Sequence, residues 1–163
     1  TSATYLSIFS NRLTLNVRNN MKYLTMNKNN FDQLTAEFSF NKFADIERVN
    51  GYPKFTNTLF DERYGFVYFW VKKINNTYTV VYVGKAGKLL KSRCEQHMSG
   101  YKNSTTGKNH AKKFKNGFEN NAQFELYARK SDVQSLLGEQ NIPMESVEEL
   151  AFIQKLQPEW NSA

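Results

Sequence analysis

The chain has 163 residues, of which 40% are hydrophobic and 15% aromatic, a composition typical of one globular domain with its own core. No apolar run approaches the ~20 residues that a membrane span needs, and no signal peptide is visible, so we expect a cytoplasmic protein with no membrane partner. The net charge of +7 and the pI of about 9.4 favour a polyanionic partner such as nucleic acid.

Cysteine and histidine are scarce in this chain. Cys94 is the only cysteine, which excludes an internal disulfide, and His97 and His110 are the only histidines. Zinc sites need three or four clustered nitrogen, sulfur or oxygen ligands, so a zinc site is nearly excluded. A hard cation held by a carboxylate remains open.

The first part of the chain is polar and rich in asparagine, and we predict an N-terminal arm over residues 1–36. This arm packs on the core, on a partner subunit or on a ligand, or else it is a weakly ordered terminus. Alternating apolar residues predict short strands over 13–17 and 37–43. Gly51 and Pro53 then indicate a loop.

Two apolar runs with a tyrosine each follow, and they predict strands over residues 66–73 and 78–84. The asparagines at 74–77 indicate the turn between them. An even-numbered loop would place Tyr68 and Tyr82 on opposite faces of this hairpin. If both serve one site, the hairpin needs an odd-numbered loop or a bulge near 74–77.

Next comes a predicted helix over residues 88–98, on which Arg93 and His97 share a face because they are four residues apart. A polar loop is expected over 101–108, and Asn109 is a candidate cap of a short basic helix.

The last segment predicts a third strand over 122–129, a connection over 131–142 with a short helix around 133–137, and a final helix over 144–156. The predicted apolar face of this last helix consists of Val147, Leu150, Ala151, Phe152 or Ile153, and Leu156.

Several motifs occur in a fixed order along the chain. They are Val67-Tyr68, Tyr82-Val83-Gly84-Lys85-Ala86, Arg93, Glu149, and Pro158 with Asn161, which follow Glu149 by nine and twelve residues. This order resembles the GIY-YIG nuclease superfamily. Arg93-x-x-x-His97 resembles the version in GIY-YIG restriction endonucleases, and the wider run is similar to endonucleases of T-even bacteriophages.

The resemblance covers residues 37–163, with a core from about residue 64. It implies a small α/β (α+β) nuclease fold, in which a central three-stranded antiparallel sheet is flanked by helices, with the arm as an N-terminal extension. The position of the first motif tyrosine is filled by Tyr68 or, after a change of register, by Tyr64.

The resemblance implies that Tyr68 is the general base and that Glu149 is the metal ligand. A single carboxylate is suited to one Mg²⁺ or Mn²⁺ ion that keeps most of its waters. A phenol has an ordinary pKa near 10, so we expect Lys85 and Arg93 to lower the pKa of Tyr68. Arg93 can also fork onto phosphate oxygens.

Other residues have supporting roles in this hypothesis. Tyr82 contacts the phosphate or the attacking water, His97 donates to the phosphate or relays a proton, Gly84 allows close backbone approach, and Asn161 fixes the site through its amide. Each residue also has an ordinary structural explanation, such as strand packing or a surface ion pair. The candidate DNA-binding residues are Lys102, Lys108, Lys112, Lys113 and Lys115, which could equally form a solvated basic face.

The sequence therefore predicts a divalent-metal-dependent DNA endonuclease that acts on double-stranded DNA. It is either a restriction enzyme or a phage-type endonuclease of low specificity, and the rival prediction is a catalytically silent DNA-binding module. Because one site cuts one strand, double-strand cleavage requires a homo-oligomer or two successive nicks.

Overall fold

The computed structural model describes residues 25–56, 63–99 and 104–161. Their elements are β1 (Thr25–Asn27), α1 (Lys28–Glu37), β2 (Asn41–Val49), β3 (Tyr52–Thr56), β4 (Phe66–Ile74), β5 (Thr77–Ala86), α2 (Leu90–Ser99), α3 (Thr105–Glu119), β6 (Gln123–Lys130), β7 (Val133–Leu136), β8 (Glu139–Pro143), α4 (Glu145–Leu156) and a 3-10 turn (Glu159–Asn161). The strand predicted over 13–17 lies outside the described residues. None of the described helices is long and apolar enough to span a membrane.

Six strands form one sheet in the order β1-β5-β4-β6-β2-β3, and every neighbouring pair is antiparallel. The mixed α+β architecture is confirmed, but the predicted number of three sheet strands is wrong. The three predicted strands at 66–73, 78–84 and 122–129 correspond to the centre of the sheet, β5-β4-β6. Strands β1, β2 and β3 extend it on both sides.

The β2–β3 hairpin corrects two predictions. Residues 37–40 are not a strand, because α1 continues to Glu37 and β2 begins only at Asn41. The loop predicted around Gly51 and Pro53 is instead a tight turn at Asn50 and Gly51, with φ of 51° and 85°, followed by β3. Positive φ at both positions suits the twist of a hairpin, and proline is tolerated in β3 because it is an edge strand.

Residues 25–36 lie within the predicted N-terminal arm and pack on the sheet. Asn27 caps α1 by accepting a hydrogen bond from the backbone N–H of Asn30 at 2.9 Å. Phe31 stacks on Tyr78 with ring centroids 4.9 Å apart and meets the edge of Tyr127 at 5.0 Å. These contacts fix α1 against β5 and β6.

Helices cover both faces of the sheet centre. Tyr68, Trp70 and Tyr82 project from one face, here called the tyrosine face, and pack with residues of α2 and α3. Val67 and Phe69 project from the other face, toward α1 and α4. Because both faces are covered, β4 begins with an uninterrupted apolar run instead of an alternating one.

A β-bulge in β5 decides which face Tyr82 occupies. The turn at Asn75 and Asn76 has two residues, so the loop is even-numbered. The ladder shifts between Trp70 and the next residue of β4, and Val81 is the extra residue of β5. The predicted bulge therefore exists, but its predicted place near 74–77 is wrong. It moves Tyr82 from the face of Tyr78 to the tyrosine face.

Helix α3 begins earlier than the sequence suggested. Ser104 caps it by accepting a hydrogen bond from the backbone N–H of Gly107 at 3.3 Å, so Asn109 is not the cap and residues 105–108 are helical. The buried side of the helix consists of Gly107, His110, Phe114 and Gly117.

The segment after β6 is a hairpin, β7–β8, and not the helix predicted around 133–137. Leu137 and Gly138 form its turn with φ of 54° and 85°. In α4, Val147 and Leu150 are 58% and 66% exposed and Ala151 is exposed as well, so the assignment of these three residues to the apolar face is wrong. Acidic residues fill the inward positions of the first half of α4.

Candidate active site

Three predicted site residues meet on the tyrosine face. The rings of Tyr68 and Tyr82 have centroids 6.0 Å apart, and α2 places His97 over their hydroxyl groups. The hydroxyl oxygens of Tyr68 and Tyr82 lie 3.0 Å and 3.2 Å from Nδ1 of His97. With Nδ1 as acceptor, both phenol hydroxyl groups lie within hydrogen-bond distance of the same nitrogen.

Gly84 provides the space for this cluster. It lies directly opposite Tyr68 in the β4–β5 ladder. A Cβ at position 84 would stand 2.5 Å from the hydroxyl oxygen of Tyr68 and 2.8 Å from Cε1 of Tyr82. The close approach predicted at Gly84 is therefore made by the tyrosine side chains of the site.

Burial keeps the three groups neutral. It raises the pKa of the fully buried Tyr68 well above the ordinary phenol value and raises the pKa of Tyr82 to about 12. The charge of Arg93 lowers both pKa values by less than burial raises them, so the expected net lowering of the pKa of Tyr68 is wrong for this structure. Burial, followed by the charge of Arg93, lowers the pKa of His97 to about 4.

The charged residues of the site approach from α2 and α4. The carboxylate of Glu149 lies 3.5 Å from Nζ of Lys85, which donates to Oγ of Ser146 at 3.0 Å. Burial raises the pKa of Glu149, and Lys85 and Arg93 oppose this effect. The charges of Glu149 and Arg93 also act on both phenols. The structure thus brings together Tyr68, Tyr82, Lys85, Arg93, His97 and Glu149.

Asn161 acts on the backbone of β5. Its side-chain amide donates to the carbonyl oxygen of Val83 at 2.8 Å, and its oxygen accepts from the N–H of Val83 at 2.8 Å. This pair of hydrogen bonds reproduces what a neighbouring strand would provide. Asn161 therefore ties the chain end beyond α4 to the strand that carries Tyr82 and Lys85.

His110 is a buried part of the site that the sequence did not identify. Its Nδ1 lies 3.0 Å from the carbonyl oxygen of His97, and its ring is 4.8 Å from Tyr82 and 5.0 Å from Trp70. Burial lowers the pKa of His110. The sequence signal for the burial of His110 was its spacing of four residues from Phe114, which places both residues on the buried face of α3.

The predicted DNA-binding lysines are only partly gathered on one surface. Lys108, Lys112 and Lys115 are exposed on α3 at spacings of four and three residues. Lys113 is partly buried, with Nζ 5.8 Å from the ring centroid of Trp160. Lys102 lies outside the described residues.

The two candidates for the first motif tyrosine occupy different environments. The ring of Tyr64 lies 6.1 Å from that of Phe66 and 5.2 Å from Nζ of Lys130. Tyr68, in contrast, contacts both Tyr82 and the imidazole. This geometry supports Tyr68 for the role.

Glu149 is the residue of the site that fits a metal ion. Within the described ranges, no group of three or more His, Cys, Asp or Glu side chains could hold an ion. The Glu149 side chain is 18% exposed and offers hard oxygen donors. One such carboxylate fits Mg²⁺ or Mn²⁺, which keep several waters in their coordination shell.

Comparisons with known proteins bear on the fold. No protein-family model and no curated protein sequence matches the chain. Among solved structures, a mutant of EndoII from bacteriophage T4 matches 80% of this chain and 97% of that chain, with a TM-score of 0.61 and 23% identity. The chain has the fold of EndoII. The predicted similarity to the endonucleases of T-even bacteriophages is thereby confirmed for the fold.

The restriction endonuclease HPY188I, in complex with product DNA, matches 80% of this chain and 79% of that chain. Its TM-score is 0.44 and its identity is 13%.

Proposed function

We propose that this protein is a divalent-metal-dependent endonuclease that hydrolyses phosphodiester bonds in double-stranded DNA. The observation that carries the proposal is the contact of Tyr68, Tyr82 and His97 within the electrostatic reach of Arg93 and Glu149. The EndoII fold supports the same activity. The net charge of +7 suits a DNA substrate.

The phenol–imidazole contact suggests a proton relay. In this mechanism Tyr68 accepts a proton from the attacking water while its own hydroxyl proton passes to Nδ1 of His97. As the water oxygen bonds to phosphorus, the bond from phosphorus to the leaving sugar oxygen breaks, and that oxygen takes a proton from solvent. The phenol stays neutral, which suits a buried group with a raised pKa, and the imidazole becomes an imidazolium. The negative charge of a bound phosphate favours that imidazolium, and the hydroxyl of Tyr82 lies 3.2 Å from the same nitrogen.

The charged groups have separate tasks in the proposed reaction. Arg93 binds the phosphoryl oxygens through its guanidinium fork. Glu149 would hold one Mg²⁺ or Mn²⁺ ion, which when bound neutralises charge on the phosphate. Lys85 fixes the Glu149 carboxylate through their ion pair. The exposed stripe of Lys108, Lys112 and Lys115 contacts more distant phosphates.

With one site in each chain, one strand is cut at a time. We propose a homo-oligomer for double-strand breaks, because two copies can address both strands of a duplex. Sequencing of the cut ends distinguishes a restriction enzyme, which cuts at one sequence, from a phage-type endonuclease of low specificity.

Cleavage of supercoiled plasmid tests the proposed activity. The wild-type protein should nick the plasmid with Mg²⁺ or Mn²⁺ and not with EDTA. Glu149→Gln should abolish nicking, whereas Glu139→Gln makes the same chemical change on the exposed β7–β8 hairpin and should leave it intact. A wild-type protein that binds DNA but leaves it uncut with both ions would instead support the silent DNA-binding module.

A further inference from the structure

A second cationic region shares Arg93 with the proposed active site. A cavity of about 420 Å³ opens at the start of α2, and it is lined by Arg63, Gly87, Lys88, Leu89, Ser92, Arg93 and Gln96. The charged groups in this lining are two guanidinium groups and one ammonium group. Among the residues that the structure describes, none with a carboxylate lines the cavity, and its three cationic groups favour an anion.

The helical repeat explains how Arg93 can lie at both the cavity and the proposed active site. Leu89 directly precedes α2, and Ser92 and Gln96 follow it at spacings of three and four residues, so these residues lie toward the cavity on one side of the helix. Arg93 and His97 form the adjacent stripe, and His97 reaches the tyrosines. Arg93 lies at the boundary between these stripes, so a ligand in the cavity is next to one bound at the phenols.

Backbone contacts bring the other cations of the cavity together. Arg63 forms an isolated antiparallel β-bridge with Leu89, and the N–H of Tyr64 donates to the carbonyl oxygen of Lys88 at 3.1 Å. The two segments that carry Arg63 and Lys88 therefore lie side by side at the cavity. Glu145 approaches Gly87 from α4 without lining the cavity.

We propose that this cavity binds the phosphate group that flanks the scissile phosphate on the DNA strand. The proposal rests on the proposed function, in which Arg93 contacts the scissile phosphate. Arg63 offers a bidentate guanidinium and Lys88 a compact charge to the flanking phosphate oxygens. Ser92 and Gln96 add a hydroxyl and an amide donor. The cavity therefore fixes the path of the strand on one side of the cut.

Binding to a duplex oligonucleotide in EDTA, measured by fluorescence anisotropy over a series of salt concentrations, tests this proposal. Arg63→Ala and Lys88→Ala should each weaken binding about tenfold and reduce the slope of log K against log salt by about one. Lys91→Ala is the matched control, because it removes a charge from the same helix outside the cavity. It should change affinity less than about twofold.

Single-turnover cleavage at saturating DNA separates this role from catalysis. The Arg63 and Lys88 variants should cut within about threefold of the wild-type rate once DNA is bound. Should Lys88→Ala fail to fold, Lys88→Gln removes the same charge.

Two results overturn the assignment. One is an affinity and salt slope equal to those of Lys91→Ala, and the other is a large loss of single-turnover rate at unchanged affinity. A wild-type protein that shows the expected binding pattern but cuts nothing contradicts the endonuclease proposal alone, and it still supports a phosphate site in the cavity.

Discussion

Replacing Tyr68 with phenylalanine removes one oxygen from the centre of the proposed site and keeps the buried ring. The ring contacts of Tyr68 with Trp70 and Tyr82 persist, and Nδ1 of His97 keeps the hydroxyl of Tyr82 at 3.2 Å. The variant should therefore lose only about 1 kcal/mol of unfolding free energy. A positioned proton-transfer group contributes about 10²- to 10⁴-fold to rate, so cleavage should fall at least about 100-fold.

Plasmid nicking at saturating Mg²⁺ measures the rate, and urea denaturation measures the unfolding free energy. Tyr64→Phe is the matched control, since Tyr64 is the alternative motif tyrosine and lies four residues earlier. It should cut within about threefold of wild type. The reasoning is refuted if Tyr68→Phe keeps the wild-type rate, and more so if Tyr64→Phe loses it.

Three further changes probe the same region. Gly84→Ala should cost about 1–3 kcal/mol in urea denaturation because its Cβ collides with the tyrosine rings, and unchanged stability would contradict that collision. Asn161→Ala should cost about 1–3 kcal/mol in the same measurement, since both polar groups of Val83 lose their partner; a loss below about 0.5 kcal/mol would show that water replaces it. Burial lowers the pKa of His97 from 6.5 to about 4. As the pH decreases from 6.5 to 4, the unfolded state therefore takes up a proton before the folded state does, and the free energy of unfolding should decrease by at most about 3 kcal/mol. His97→Gln should flatten this dependence, and an unchanged pH profile in that variant would contradict it.

The sequence predicted which residues lie together in the candidate site better than it predicted the geometry that joins them. The order and spacing of the motifs can be recognised in the sequence itself, and they predicted Tyr68, Tyr82 and His97. No pattern in the sequence predicts the position of the bulge at Val81. Val80 and Val81 are both apolar, and each is buried on a different face of a strand covered on both sides, so alternation could not show where the ladder shifts.

Two local sequence patterns led to wrong predictions, because contacts with distant parts of the chain decide the structure there. Asn50-Gly51 followed by Pro53 suggested a loop, whereas the edge position of β3 allows a proline in a strand. The apolar Val147 and Leu150 suggested a buried helix face. In the fold, the inward side of this part of α4 instead carries glutamates that form ion pairs with Lys85 and with Arg129 of β6. These partners are distant in the sequence, so hydrophobic periodicity could not predict the contacts.

Asn161 sets the backbone of β5 beside the proposed site. Its side chain makes two hydrogen bonds with the backbone of Val83, as a neighbouring strand would. Tyr82 projects from β5 to the tyrosine face, whereas Lys85 reaches Glu149 on α4. A phosphate at this strand edge can therefore meet phenols from one face and a carboxylate from the other. Asn161 holds the residue between Tyr82 and Lys85, so the proposed chemistry depends on this amide as well as on the side chains that face the phosphate.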